Sequence, residues 1–551
     1  MPSEPIEAEF AVPPALTTAQ EEEFRILERE GPLSDSVTQL DIDVDTAPAP
    51  DLAVLSKTRT NDGYHIVAFE PGAGEDPREW SKGKKWYVTL SSAALCLAVA
   101  IGSSIVTGDM TGPVDDLHTT QIIVNLTVTC FVIGFGIGPL AFAPLSEVVG
   151  RKPMYIVSML FFFIFTLPGA LAKNAATLVI SRQIAGLAAS APMCNVGGSI
   201  ADVWAVEDRG VPMAVFSVMI FLGPSLGPLV GGFIGETIGW RWIYWVLFIY
   251  VGICLLSTIF MPETLAPALL HRKAKRMRKE TVDQRFRTLA ELEKRPFKEI
   301  LKEALLRPII MLLTEPLMFF MSFYLSFIYS LLYLLFFAFP IAFEEIRGFD
   351  AGMTGVAFVS VIIGNLLALA LAVPMQERIF AKVTCNGHFP EARLYLMMVG
   401  SVLLPCSLFI FAFTGAYAHV HWMGPLVASA LFGIAMIMIY ISANSYIVDS
   451  YSSYAASAIA AKTLMRSEIG AMVPLYVTPM FHNMGFQFAG LLLALISIVI
   501  MPIPYTFFWY GEKIRMKSKM ASHTKRVPIS DVPVEKTAGD AGDKSCEKTS
   551  A

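Results

Sequence analysis

The segment Ala143-Pro-Leu-Ser-Glu147-Val-Val-Gly150-Arg151-Lys152 closes an apolar run with a carboxylate, a turn-permitting glycine and two fixed cations. Gly150 permits a tight turn. A carboxylate such as Glu147 at a membrane edge pairs with a cation or with the N-terminus of a neighbouring helix. Such a contact can form in one arrangement and break in another, which is what a gate needs. Topogenic anchoring by positive charge accounts for Arg151 and Lys152 but not for Glu147 or Gly150. Arg182 stands inside a second apolar run and is followed by Ala185-Gly186. A cation there is costly and faces a bundle interior with a partner. Arg keeps its proton, so it biases a nearby carboxylate or binds an anionic group rather than carrying the proton itself. Its place about one turn from the start of its run also allows it to snorkel to the interface.

A third pattern is glycine at every fourth position, Gly223, Gly227, Gly231 and Gly235, with Pro224, Pro228 and Gly232 beside it. That spacing puts the glycines along one slowly turning helix face. A face without side chains lets another helix approach closely. Polar and aromatic residues inside other apolar runs are candidates to line a cavity: Asn125, Tyr329, Tyr333, Asn365, Tyr440 and Asn444. Tyr329 and Tyr333, four apart, share a helix face. Aromatic rings suit amphipathic or cationic ligands. The same residue types also serve as interhelical packing and hydrogen-bond groups. Acids within the apolar runs are scarce, and Glu315 and Glu468 are the candidates to take a proton there.

The elements that must position these groups are long apolar helices. The chain has 551 residues, 54% hydrophobic and 16% charged, with mean hydropathy +0.56. Soluble domains average about 25% charged residues. A run of about 20 apolar residues crosses the hydrocarbon layer as a helix, and in lipid its backbone must be satisfied within the segment. The sequence predicts twelve spans, at 86–106, 122–143, 153–172, 177–200, 211–234 and 242–261, then 311–338, 352–374, 393–414, 422–447, 455–478 and 486–509. They divide into an N-terminal half, 84–261, and a C-terminal half, 308–509, joined by a basic central loop, 262–307. The tails, 1–83 and 510–551, read as disordered, with at most a short helix over Glu21–Glu30. Nothing in the first residues resembles a signal peptide.

Lys and Arg fix the orientation. Arg151, Lys152, the cluster Arg272 to Lys279, Arg378, Lys382, Arg393 and Lys513 to Lys519 all fall on one side if every span crosses. The stretch Thr107 to Gln121 on the other side has three Asp and no Lys or Arg. By the positive-inside rule both termini are cytoplasmic. The halves echo each other weakly, span 4 ending at Asp202 and span 10 at Asp449. The seven cysteines lie mostly inside apolar runs without metal-ligand spacing, and read as small packing residues. No metal-binding His-Glu pattern, nucleophile elbow or phosphate loop is present, which argues against an enzyme and against a nucleotide-driven pump.

The segment from Ala143 to Lys152 resembles motif A of the major facilitator superfamily, in the form found in fungal drug:H⁺ antiporters with twelve spans. It departs in three places: Glu147 stands for the usual Asp, Ala143 for the first Gly and Val148 for a frequent Arg. Arg182 with its neighbours is similar to motif B, whose Arg is implied in proton coupling. Gly223-xxx-Gly227-Pro228-xx-Gly231-Gly232 looks like motif C, the antiporter signature. Asp76-Pro77-Arg78-Glu79-Trp80, Gly197 to Trp204, Pro262-Glu263-Thr264, Pro390 to Leu394 and Ala455 to Ala458 with Arg466 resemble the polyamine and multidrug branch. The resemblance runs from residue 76 to residue 510.

What it implies is an all-α bundle of two six-helix halves that rock about a central cavity. It implies a proton-coupled antiporter exporting drugs, polyamines or a fungal secondary metabolite. In that reading Glu147, Gly150, Arg151 and Lys152 form a cytoplasmic gate, and Arg182 acts in coupling. Gly223, Gly227, Pro228, Gly231 and Gly232 allow close packing. No cofactor or metal is expected, the proton gradient being the driving force. The expected partners are a small-molecule substrate, protons and membrane lipids, with no nucleic acid, and the chain acts as a monomer. The plasma membrane is the expected location and a vacuolar membrane the alternative. An uptake carrier of the same fold, for a sugar or an organic acid, is the rival function. Fold and motifs do not encode the substrate.

Overall fold

Twelve helical crossings account for most of the described chain. The computed structural model describes residues 64–70, 72, 74–205, 208–292, 297–384, 390–518 and 520–521. The expectations for Glu21–Glu30 and for most of both tails fall outside these residues. Among them, eleven helices are long and apolar enough to cross a membrane. They are Lys82–Gly108, Gln121–Val149, Arg151–Ala170, Ala175–Val203, Gly210–Ile238 and Trp240–Phe260 (spans 1 to 6), then Pro316–Glu345, Ala351–Gln376, Pro390–Gly415, Met423–Ser450 and Phe486–Arg515 (spans 7 to 10 and span 12). Span 11 is broken into Ala455–Ala471 and Val473–Met484. Pro474 explains the break, since it has no N–H to donate into the preceding turn.

Spans 2, 7 and 11 run six or seven residues past their expected ends, and three further boundaries differ for identifiable reasons. Span 7 begins at Pro316, because Pro316 starts a new helix after the separate helix Phe297–Thr314. Span 12 continues to Arg515, drawn in by a buried ion pair with Glu391. The N-terminal tail does not stay free to residue 83: His65–Ile66 pairs in parallel with Phe286–Arg287, Pro77–Glu79 forms a 3-10 turn, and Trp80 is buried. The central segment is not only a loop either. Ala266–Thr281 is a helix, and its Lys273 reaches Glu75 at 2.6 Å.

The packing repeats from half to half. In the N-terminal half span 1 packs on span 5, span 2 on span 4, and span 3 on spans 4 and 6. In the C-terminal half span 7 packs on span 11, span 8 on span 10, and span 9 on spans 10 and 12. The two halves meet along span 2 with span 11 and span 5 with span 8. Helix Phe297–Thr314 lies against both span 2 and span 11. The outward faces stay apolar, as along Ile249, Ile253, Leu256 and Phe260 of span 6, all exposed. Three- and four-residue spacing puts these on one stripe, the face a membrane helix turns to lipid.

Candidate functional site

Gly150 ends span 2 with φ +110°, a conformation that favours glycine, and span 3 starts at Arg151. The break moves Glu147 and Arg151 out of the i,i+4 relation they would have on one helix. Glu147 is exposed and joins no ion pair among the described residues. Glu147 and Arg151 form no ion pair with each other in this arrangement. Arg151 turns inward instead. Its Nε lies 3.5 Å from Asp202 Oδ2 at the end of span 4, and its Nη1 donates to Ser146 Oγ at 2.7 Å and Asn195 Oδ1 at 3.4 Å. Lys152 Nζ donates to the Ile259 carbonyl at 2.8 Å.

The acid that serves the start of span 3 is Glu263, at the end of span 6. Its buried carboxylate accepts the amide N–H groups of Arg151 (2.9 Å), Lys152 (3.3 Å), Thr264 (3.0 Å) and Leu265 (3.1 Å). Helix N-termini carry unpaired N–H groups and partial positive charge, so a carboxylate there is favoured. A Cβ at Gly150 would come within 2.5 Å of Glu263 Oε2, so the glycine also clears room for the cap. The C-terminal half has an equivalent Arg–Asp pair and a second, buried ion pair. Arg393 Nε meets Asp449 Oδ2 at 3.1 Å, and Arg515 meets Glu391 at 2.8 Å with both side chains 1% exposed.

Arg182 is buried in the N-terminal half. Nη2 donates to the Gly102 carbonyl at 2.7 Å and Nε to the Thr127 carbonyl at 3.4 Å, while the guanidinium lies 4.1 Å from the Phe131 ring centroid. It thus ties spans 1, 2 and 4 through backbone oxygens, with no carboxylate partner among the described residues. It does not line the central cavity.

The glycine face of span 5 packs on span 1. A Cβ at Gly223 would fall 2.3 Å from Ala100 Cβ, at Gly227 2.8 Å from Ile105 N, and at Gly231 2.2 Å from the Ile105 carbonyl oxygen. Backbone atoms cannot yield to such a contact, so only glycine fits. Gly232 faces the other way, onto the Ala351 carbonyl of span 8. Gly223, Gly227 and Gly231 therefore unite spans 1 and 5 within one half, while Gly232 and the Pro228 carbonyl, which lies beside Gly355 of span 8, meet the other half.

Between the halves lies a cavity of about 40 Å³. Spans 1, 2, 4 and 5 contribute Ser103, Phe135, Met193 and Phe221; spans 7, 10 and 11 contribute Tyr329, Tyr333, Met436, Tyr440 and Arg466. Three of the six expected cavity residues, Tyr329, Tyr333 and Tyr440, line it. Asn444 stands beside it and accepts from Lys462 Nζ at 2.5 Å. The other two do not reach it and bridge the halves. Asn125 Nδ2 donates to the Pro474 carbonyl at 2.7 Å, and Asn365 Nδ2 to the Phe221 carbonyl at 3.5 Å. Forty cubic ångströms is room for about one water, against roughly 300–1,000 Å³ for a ligand pocket. This is a closed state, and the halves must part before a substrate enters.

Lys462 carries no sequence expectation, and Arg466 entered only through the family resemblance. They sit one turn apart on span 11, 3% and 4% exposed. Arg466 Nη1 donates to Tyr440 Oη at 2.8 Å, and its guanidinium lies 4.2 Å from the Tyr329 ring centroid. Lys462 Nζ also reaches Tyr440 Oη, at 3.4 Å. Burying an uncompensated cation costs several kcal/mol. The signal was available, since the rule that marked Arg182 applies equally to two cations four apart in an apolar stretch. Of the two proton candidates, Glu315 lies at the start of span 7 beside the Tyr451 hydroxyl. Glu468 lies midway along span 11 at the seam with span 2, opposite Gly136, and its buried Oε1 has no hydrogen-bond partner.

A second space of about 430 Å³ opens toward the face where span 1 ends, with Asp109, Glu236, Glu344 and Glu345 in its wall. A larger cleft of about 920 Å³ lies within the C-terminal half between helix Phe297–Thr314 and span 12. It does not touch the other half, so it is off any path between them.

Residues 90–474 match the sequence profile of the Major Facilitator Superfamily. The chain is 42% identical over 468 residues to the MFS-type transporter paaT of Penicillium rubens, covering 84% of this chain and 85% of that protein. It is 37% identical to the MFS-type efflux pump MFS2 of Trichophyton rubrum, covering 83% of this chain and 77% of that protein. Among solved structures it is similar in fold to the proton:xylose symporter XylE, with TM-score 0.58 and 15% identity, covering 78% of this chain and 97% of that one.

Proposed function

The chain belongs to the major facilitator superfamily, and from that membership we propose that it is a proton-driven antiporter carrying small organic molecules outward across the plasma membrane. It is a multi-pass secondary transporter and not an enzyme. Similarity to a relative named an efflux pump supports export, as does the antiporter-like glycine pattern of span 5. The termini and the Arg151 gate lie on the cytoplasmic side in this reading. One chain contains the whole path, so it works as a monomer.

The observation that carries proton coupling is Glu468. It is a carboxylate midway along a span, at the seam where the halves must part, with a buried oxygen free to take a proton. Protonation removes a charge from that seam and deprotonation restores it, which links the proton to the position of the halves. Arg182 acts at a distance, by fixing spans 1, 2 and 4 as one body. Arg151 with Asp202, and Arg393 with Asp449, hold the cytoplasmic ends of each half together.

Deleting the gene and comparing intracellular with external metabolites tests direction. Accumulation of a compound inside the deletion strain, with export in the intact strain stopping when the gradient is collapsed, is the expected result. A compound left unabsorbed in the medium overturns export in favour of uptake. In proteoliposomes, Glu468→Gln is expected to abolish transport driven by a pH gradient while leaving exchange of substrate for substrate. Full gradient-driven transport in that variant overturns the role given to Glu468.

A further inference from the structure

We propose that the central cavity takes an amphipathic organic anion, its carboxylate held by Arg466 and Lys462 and its apolar body among the aromatic side chains. The proposal rests on the transport reading above and adds the substrate class. Both cations are buried, on one face of span 11, and neither forms an ion pair with a carboxylate among the described residues. Their hydrogen-bond partners are the Tyr440 hydroxyl for both and the Asn444 side-chain oxygen for Lys462, none of them a carboxylate. Arg466 Nε has no hydrogen-bond partner, although the residue lines the cavity. Glu468, two residues on, faces span 2 across Gly136 and its buried oxygen is itself unpartnered, so it does not neutralise Arg466.

Two like charges one turn apart repel each other, and burial amplifies the repulsion. An anion entering between them removes both costs at once. The planar fork of Arg466 matches a carboxylate, with Lys462 as a second point charge. Apart from Ser103 the rest of the wall is apolar or aromatic, including Phe135, Phe221, Tyr333 and Met436, which suits a hydrophobic body.

The order along the path agrees. Span 11 starts at Ala455 on the face where span 1 starts, so Lys462 lies one turn nearer that face than Arg466. An anion arriving from there meets Lys462 first. On the opposite side the vestibule wall carries Asp109, Glu236, Glu344 and Glu345, which disfavour an anion re-entering.

The test is equilibrium binding to the purified full chain, with three probes of one shape: 2-naphthoate, 2-naphthamide and 2-naphthylmethylammonium. The expected result is that naphthoate binds at least about tenfold more tightly than the other two. That preference is expected to be lost in Lys462→Gln and Arg466→Gln and kept in Lys462→Arg. Equal or tighter binding of the amide or the ammonium overturns the proposal, the ammonium pointing to a cationic substrate instead. Unchanged naphthoate binding in both Gln variants also overturns it. If a Gln variant fails to fold, the probe series on the unaltered chain still decides. Binding needs neither a proton gradient nor a direction, so its failure is separate from a failure of the antiporter reading, which gradient-driven transport with Glu468→Gln detects.

Discussion

Arg151 of span 3 reaches Asp202 of span 4 across 3.5 Å. The same link recurs in the other half as Arg393 with Asp449 at 3.1 Å. Each pair joins the start of one span to the end of the next, on the face where span 1 starts. Asp202→Asn is expected to lower transport several-fold while the protein still folds, because Ser146 and Asn195 also hold Arg151. The stability cost is expected at about 1 kcal/mol, the pair being partly exposed. Counterflow rates beside thermal midpoints in detergent separate the two effects; a midpoint collapse with no folded fraction would contradict the assignment.

The Arg515–Glu391 pair is different in kind, since both side chains are almost fully buried. Removing one partner strands the other charge. Arg515→Met is expected to cost about 3–5 kcal/mol, and Arg515→Met with Glu391→Leu to recover most of it. Thermal melting of the single and double variants checks this, and a single variant as stable as the parent sinks it.

Gly231→Ala is expected to reduce the yield of folded protein sharply, with an overpacking cost of roughly 1–3 kcal/mol. The added carbon would fall 2.2 Å from the Ile105 carbonyl oxygen, which cannot move without shifting span 1. Gly197→Ala in span 4 is the control, because its nearest neighbour is an ordinary 3.8 Å contact. Size-exclusion profiles of fluorescent fusions report both. Equal yields would mean that spans 1 and 5 are not held at this separation.

Asn125→Leu leaves the Pro474 carbonyl without its donor across the seam between the halves. An unmet buried group costs about 1–3 kcal/mol, so the closed state is expected to lose population. Thiol labelling of Ser103→Cys, which lines the cavity, is expected to rise when Asn125→Leu is added, measured against the same parent. No change in labelling would show that this bond does not hold the halves closed.

Glu291 is placed to make the central segment acid-sensitive. Burial raises its pKa, but Arg278, the Thr288 N–H and His271 pull it down further, and the net shift is downward. A carboxyl with a depressed folded pKa adds stability above its unfolded pKa, about 4.3, and loses it as pH falls through the folded value. Hydrogen exchange over residues 266–292 is therefore expected to quicken below about pH 4, once intrinsic rates are divided out. Glu291→Gln is expected to quicken it at pH 7 as well.

The long apolar runs were legible in the sequence as membrane helices, because lipid forces each such run into a helix whatever it packs against. The glycine face of span 5 was equally legible, since spacing of four fixes one face of any helix. The tertiary structure decided what each face meets. It sent Gly223, Gly227 and Gly231 to span 1, set Arg151 beside Asp202, and gave the start of span 3 to Glu263, more than a hundred residues away. It also separated the six polar cavity candidates, leaving Tyr329, Tyr333 and Tyr440 on the cavity and drawing Asn125 and Asn365 into the seam. Such partners lie on different spans, and a one-dimensional pattern holds no information about how spans rotate against each other. That rotation, set by close packing of backbones and by buried charges seeking acceptors, is what brought Lys462 and Arg466 beside Tyr440 at the centre.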